Sequence, residues 1–186
     1  MANDCWNSVT ISGDIDTIKK IESKFNSLGD NPLNYKNYQK LFDTDVTDVQ
    51  DEDWGPKWFT PSVKIVDDKL IIKGDSAWSP ASPLFELISN EYGVDCELIY
   101  EETGMDFAGV MKWESGKLVH QEEYTFWEYK HLTDTEDFYN EAEYSIVCYD
   151  SVEEWISGLN LEKWKTQPNI DMHRLNEAWQ KEHNED

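Results

Sequence analysis

The sequence predicts an α+β fold, a mostly antiparallel sheet with helices on one face. An extra hairpin and a C-terminal, mainly helical acidic region extend it. Three observations carry this: apolar patterns alternate in the order strand, helix, strand, strand, helix, strand; two short turn signals join neighbouring strands; and the texture changes past about residue 130.

The elements follow in chain order. Asn7–Gly13 alternates as a strand and closes on glycine. Asp14 then has the position of a helix N-cap, and Ile15, Ile18, Ile21, Phe25 and Leu28 recur at helical spacing up to Gly29. From residue 30 to 60 the periodicity is lost. A connection of that length predicts local helix or a functional surface, here an acidic insertion in the domain. Val63–Val66 and Leu70–Ile72 flank Asp67-Asp68-Lys69 as a hairpin. Ser82 as cap and Pro83 at the first helical position announce a second helix, with Leu84, Leu87 and Ile88 as its apolar stripe. Cys96, Leu98 and Tyr100 alternate in the next strand. Val110–Trp113 and Leu118–Phe126 form a second hairpin about Ser115-Gly116. The first six elements follow the ferredoxin-like order.

A domain over 1–130 and an acidic extension over 131–186, packed on it, are therefore expected. In the second part Thr133-Asp134-Thr135-Glu136 and Ser151-Val152-Glu153-Glu154 have capping-box spacing. Tyr144–Tyr149 reads as a last strand, and Met172, Leu175 and Trp179 as a closing helix.

Charge sets the functional classes. The chain has 39 acidic residues against 16 basic ones, a net charge of -23, yet 13% of its residues are aromatic. Disordered acidic segments lack such rings, so the charge belongs to a folded body. Such a body repels nucleic acid and membrane surfaces and attracts proteins that grip polyanions. Residues 121–186 hold 17 acids against five bases, about half of the net charge. Three cysteines, far apart and odd in number, predict reduced thiols, and with no secretory signal the expected location is the cytoplasm of a bacterial host. No apolar run is long enough for a membrane helix.

Catalytic and cofactor signatures are missing. His120, His131, His173 and His183 have no metal-binding spacing and read as surface histidines. Asp43-x-Asp45 lacks the glycine and glutamate of a calcium loop. There is no phosphate-binding loop, dinucleotide fingerprint or nucleophile elbow. The acid pairs Asp67/Asp68, Glu101/Glu102 and Glu122/Glu123 point to opposite strand faces and do not converge. The expectation is no enzyme, no metal and no cofactor. Direct RNA binding is disfavoured, because Val63–Val66 and Leu70–Lys73 lack a stacking pair and the chain lacks a basic footprint.

Four peptides carry a family likeness: Asp4-Cys5-Trp6-Asn7-Ser8-Val9-Thr10-Ile11-Ser12-Gly13, Asp53-Trp54-Gly55-Pro56-Lys57-Trp58, Asp75-Ser76-Ala77-Trp78-Ser79-Pro80, and Tyr100-Glu101-Glu102-Thr103-Gly104-Met105-Asp106-Phe107-Ala108-Gly109. Together, in this order, they resemble the YubB-type ferredoxin-like family of small phage- and plasmid-borne proteins, over residues 3 to about 130. Cys5-Trp6 is inverted, Pro56 replaces a threonine and Ala81 a second proline. The resemblance implies a ferredoxin-like fold and a mobile-element origin, and no activity. The motif residues read as framework, with tryptophan rings covering turns and Met105 and Phe107 pinning a tight link to the core. The alternative is a cleft formed by Trp54, Lys57, Trp78, Glu101, Met105 and Asp106.

The expected function is that of a non-catalytic accessory protein binding a host protein through an acidic face. In its sharpest form it mimics DNA and inhibits a nucleic-acid-handling or defence enzyme. The candidate carboxylates are Asp43, Asp45, Asp48, Asp51, Glu52 and Asp53, with Glu136, Asp137, Glu141, Glu143, Glu153 and Glu154. The alternatives are an accessory protein whose acidity only keeps it soluble, and a small-ligand module. Neither the partner nor the oligomeric state follows from the sequence.

Overall fold

The computed structural model describes residues 4–29, 31–43, 55–159, 161–165 and 168–183. Six strands form one antiparallel sheet: β1 (Asp4–Ser12), β2 (Phe59–Val66), β3 (Lys69–Ala77), β4 (Asp95–Glu102), β5 (Phe107–Glu114) and β6 (Lys117–Tyr124), in the order β2-β3-β1-β4-β5-β6. Six α-helices occur among the described residues: α1 (Ile15–Asn26), α2 (Ser82–Tyr92), α3 (Phe126–Thr133), α4 (Thr135–Ile146), α5 (Val152–Gly158) and α6 (Met172–His183). The chain divides into two compact units, Met1–Glu123 and Tyr124–Asp186. The division expected near residue 130 falls inside α3.

In the first unit the period-two pattern decides which face is covered. Cys5, Asn7, Val9 and Ile11 of β1 are buried, and the residues between them are half-exposed. The register places Val9 opposite Ile72 and Leu98, so three central strands bury one common face. Ile18, Ile21 and Phe25 of α1 and Leu84, Phe85 and Ile88 of α2 complete this core. The Asp14 carboxylate caps α1, accepting from the Asp16 and Thr17 N–H groups at 3.1 Å. α2 is capped differently from expectation: Ala81 is the N-cap, Ser82 is already helical, and Pro83 falls in the first turn. The Ala81 N–H donates to the buried Asn7 side chain, at 3.0 Å, which ties the start of α2 to β1.

Both hairpins form as expected, with two-residue turns. Asp67 and Asp68 lie at φ 49° and 61°, Ser115 and Gly116 at 47° and 83°, the left-handed values that match strand twist. Among its described residues, the connection after α1 contains a 3₁₀ turn, Tyr38–Leu41, beside which Tyr38, Leu41 and Phe42 are buried.

The second unit has its own core of Phe138, Tyr139, Ala142, Ile146, Val152, Trp155, Leu159, Trp164 and Leu175. Its rings meet edge-on, as between Trp127 and Trp155 at 5.2 Å between centroids. The last strand read at Tyr144–Tyr149 is not formed: α4 continues to Ile146 because Phe138, Ala142 and Ile146 make a helical stripe against that core. Asp134, one residue after the expected Thr133, caps α4. Ser151 caps α5 as expected, while Glu154 accepts from the Asp150 N–H and not that of the cap. His131 is not a bare surface histidine; its ring lies edge-on to Phe138 at 5.1 Å.

Candidate functional site

The family-like peptides meet at one end of the sheet, at the start of β1 and the ends of β3 and β4. Cys5 stands opposite Ser76, and Trp6 lies between Asp75 and Glu101. The Trp58 carbonyl accepts from the Ala77 N–H at 3.0 Å, and Gly55, at φ 87°, lies against Pro80 and Pro83. Trp54 lies outside the described residues; Lys57 is exposed.

Buried polar groups shape this end. The Asn7 amide donates to the Cys5 carbonyl and to Ser76 Oγ, both at 2.8 Å, and its oxygen accepts from Ala81. Ser76 Oγ in turn donates to the Ser79 carbonyl at 2.6 Å. The link from Ala77 to Ala81 is thereby pinned on both sides of Trp78. On the other side of β1, the buried Glu102 carboxylate accepts from the Gly104 N–H at 3.0 Å and also from the Met105 N–H. That fixes the turn between β4 and β5.

The framework reading is corrected for two motif residues. Trp78 is 59% exposed and Met105 63% exposed, so neither ring nor thioether fills the core. Trp78 and Asp106 also hold left-handed backbone, at φ 70° and 54°. The sheet places Glu101 half-exposed on the face opposite the helices, beside Trp6, whose ring lies 5.8 Å from Lys73 Nζ. Burial, and next the neighbouring Asp4 charge, raises the Asp75 carboxyl above the usual range. Burial pushes the Cys5 thiol up to about 12, which leaves it unreactive.

The predicted acidic residues have different surroundings. Asp43 accepts from Lys20 and Lys24, both at 2.5 Å, and these bonds lower its carboxyl to about 2. Asp45, Asp48, Asp51, Glu52 and Asp53 lie outside the described residues. In the second unit Arg174, the chain's one arginine, holds Glu136 with two bonds (2.9 and 3.0 Å) and Glu143 with a third (2.6 Å), while covering the Tyr139 ring at 4.5 Å. Asp137 pairs with Lys130 at 2.7 Å. Glu141, Glu153 and Glu154 are exposed, the last two in the first turn of α5, where the helix dipole favours them.

Asn7 and Glu102 were not among the candidates, although the signal was present. Each continues a run of alternate buried positions, Cys5-Asn7-Val9-Ile11 and Cys96-Leu98-Tyr100-Glu102. A polar residue in register with a core face must find internal partners. No group of acids, histidines and cysteines suited to a metal occurs among the described residues, and none of the helices described is long and apolar enough to cross a membrane.

One family model agrees with this architecture. Residues 57–144 match the sequence model described as the ferredoxin-like domain in Api92-like protein. No curated protein matches the chain. Among solved structures, the crystal structure of a protein api92 from Yersinia pseudotuberculosis is similar, at 8% identity and a TM-score of 0.39, covering 67% of this chain and 98% of that one. The similarity found is to Api92-like proteins, where the motifs suggest YubB-type ones. The α+β fold built on β1 to β6 is ferredoxin-like, and residues 57–144 are similar to a family model of a ferredoxin-like domain.

Proposed function

We propose that this protein is a non-catalytic binding module that engages a partner protein through its acidic surface. One observation carries the reading: a net charge of -23 resides on a chain with two packed cores. A folded polyanion steers toward basic proteins and away from nucleic acid. Exposed Glu141, Glu153 and Glu154 are the described candidates that support it, since Asp43, Glu136, Asp137 and Glu143 are engaged in internal ion pairs.

In its specific form, the protein is a phage- or plasmid-borne accessory factor in a bacterial cytoplasm, occupying the DNA site of a host enzyme. The YubB-type resemblance supports that origin. The test is capture from a bacterial lysate on immobilised full-length protein, followed by a salt gradient. A nucleic-acid-handling enzyme released by moderate salt is expected, with about tenfold less captured by the triple variant Glu141→Gln, Glu153→Gln, Glu154→Gln. Recovery of nothing, or of a partner indifferent to salt and to the variant, overturns the acidic-surface reading.

A further inference from the structure

The two outer strands of the sheet differ in what their edges offer. The order β2-β3-β1-β4-β5-β6 leaves β2 and β6 each paired on one side only. β2 carries Pro61, which has no N–H to donate. β6 contains neither proline nor glycine, so every residue keeps its backbone donor and acceptor. Alternate N–H and C=O groups along it point toward β5, and those between them point outward. The strand is covered on neither face: Lys117, Leu118, Val119, Gln121, Glu122 and Glu123 are all exposed.

The side chains of β6 decide which strand fits beside it. Lys117 stands at one end, and Glu122 and Glu123 stand at the other. A parallel copy of β6 would set like charge against like, which is destabilising. An antiparallel copy centred on His120 sets Lys117 opposite Glu123 of the second copy, and the two-fold axis repeats the pair. The charges around the strand fit the same arrangement. Within β6, Gln121 donates to Glu123 at 3.1 Å and His120 lies 3.8 Å from Glu122, as alternate residues on one face do. On β5, Lys112 is held by Glu97 at 3.2 Å, and exposed Glu114 stands across the two-residue turn from Lys117. In the antiparallel pair Lys117 therefore lies between two carboxylates, Glu114 of its own chain and Glu123 of the second copy.

We infer that β6 is a self-association edge, which pairs antiparallel with β6 of a second copy, centred on His120, to join two sheets into one. The inference goes beyond the acidic-surface reading and does not depend on it. Two forces limit the dimer. The net charge of -23 on each chain opposes association, and one strand pair is a small interface. The dimer is therefore weak and forms at high protein concentration.

The test is sedimentation equilibrium of the full-length protein from about 5 µM to about 500 µM, the range in which weak interfaces associate. A reversible monomer–dimer equilibrium is expected. Lys117→Glu and Glu123→Lys should each weaken the dimer about fivefold, although they move the net charge in opposite directions. The double variant keeps the native net charge, re-forms both pairs with reversed sign, and should restore the dimer. His120→Pro and Gln121→Pro cover both backbone directions, because neighbouring N–H groups point to opposite sides of the strand. The one whose N–H points outward should melt close to the native protein and remain monomeric. In a Cys148→Ser background, which removes the exposed native thiol, an oxidant should link His120→Cys into a disulfide dimer. Lys117→Cys should stay unlinked, because only residue 120 meets its own copy. A monomer throughout the concentration range overturns the inference, and the charges of β6 then guard the edge against pairing. It is equally overturned by single charge variants that associate like the native protein, by a double variant that does not recover, or by equal cross-linking at 117 and 120. Should both proline variants unfold, the charge and cysteine variants decide the matter.

Discussion

Asn7 is the residue whose side chain does most to define the motif-bearing end of the sheet. It is fully buried and satisfies three groups, one on its own strand and two on neighbouring segments. Asn7→Ala should therefore lower stability by about 2–3 kcal/mol in urea titration, because the Ala81 N–H and Ser76 hydroxyl lose partners away from water. Trp78 belongs at this scale too. At φ 70° a side chain of any size is strained, so Trp78→Gly should be about 1 kcal/mol more stable than Trp78→Ala. The thiols divide by burial. Cys5 and Cys96 are buried and pushed up to about 12, while Cys148 is exposed. A thiol reagent at mild alkaline pH should label Cys148 alone in the native protein and all three cysteines after unfolding.

At the scale of elements, many acidic residues have local work at helix N-termini. Asp14, Asp134 and Asp171 accept backbone N–H groups there, and Glu136, Asp137, Glu153 and Glu154 lie in first turns. Part of the negative charge is thus explained by capping and dipole chemistry. Ser151→Ala should cost about 1 kcal/mol, seen as earlier melting of the helical signal, because the Glu154 N–H loses its acceptor. Asp43 ties α1 to the segment after the 3₁₀ turn through Lys20 and Lys24. Its carboxyl is depressed, so its contribution is fully present above the usual aspartate range and disappears as pH falls toward about 2. Asp43→Asn should flatten the acid limb of the stability profile over that window. Asp75 has the opposite sign. Its raised carboxyl destabilises the charged native state, so Asp75→Asn should raise the melting temperature at neutral pH and matter less on acidification.

For the whole molecule, the net charge of -23 acts against compactness. Moderate sodium chloride should raise the unfolding temperature by screening that repulsion, and the same salt should weaken partner capture. Stabilisation and release in one gradient would separate binding electrostatics from loss of fold.

The order of strands and helices was legible because periodicity is a local signal: alternation in Cys96, Leu98 and Tyr100, and helical spacing in Ile18, Ile21 and Phe25, report the buried face wherever it packs. The segment around Tyr144–Tyr149 was misread for the same reason. Its short apolar run suits either structure, and packing of Ile146 with Phe138 and Ala142 made it helix. Of the candidate site, the participating peptides could be read from the chain, but not which of their side chains face solvent. Tryptophan beside glycine and proline suggests a covered turn; only the Asn7 and Ser76 bonds turn Trp78 outward. The sequence by itself determined the fold class, the hairpin turns, most helix caps and the polyanionic character, all of which depend on neighbours within a few residues. Tertiary structure decided which carboxylates are engaged by lysine and arginine and which motif residues are displayed, because both depend on groups brought together from distant parts of the chain.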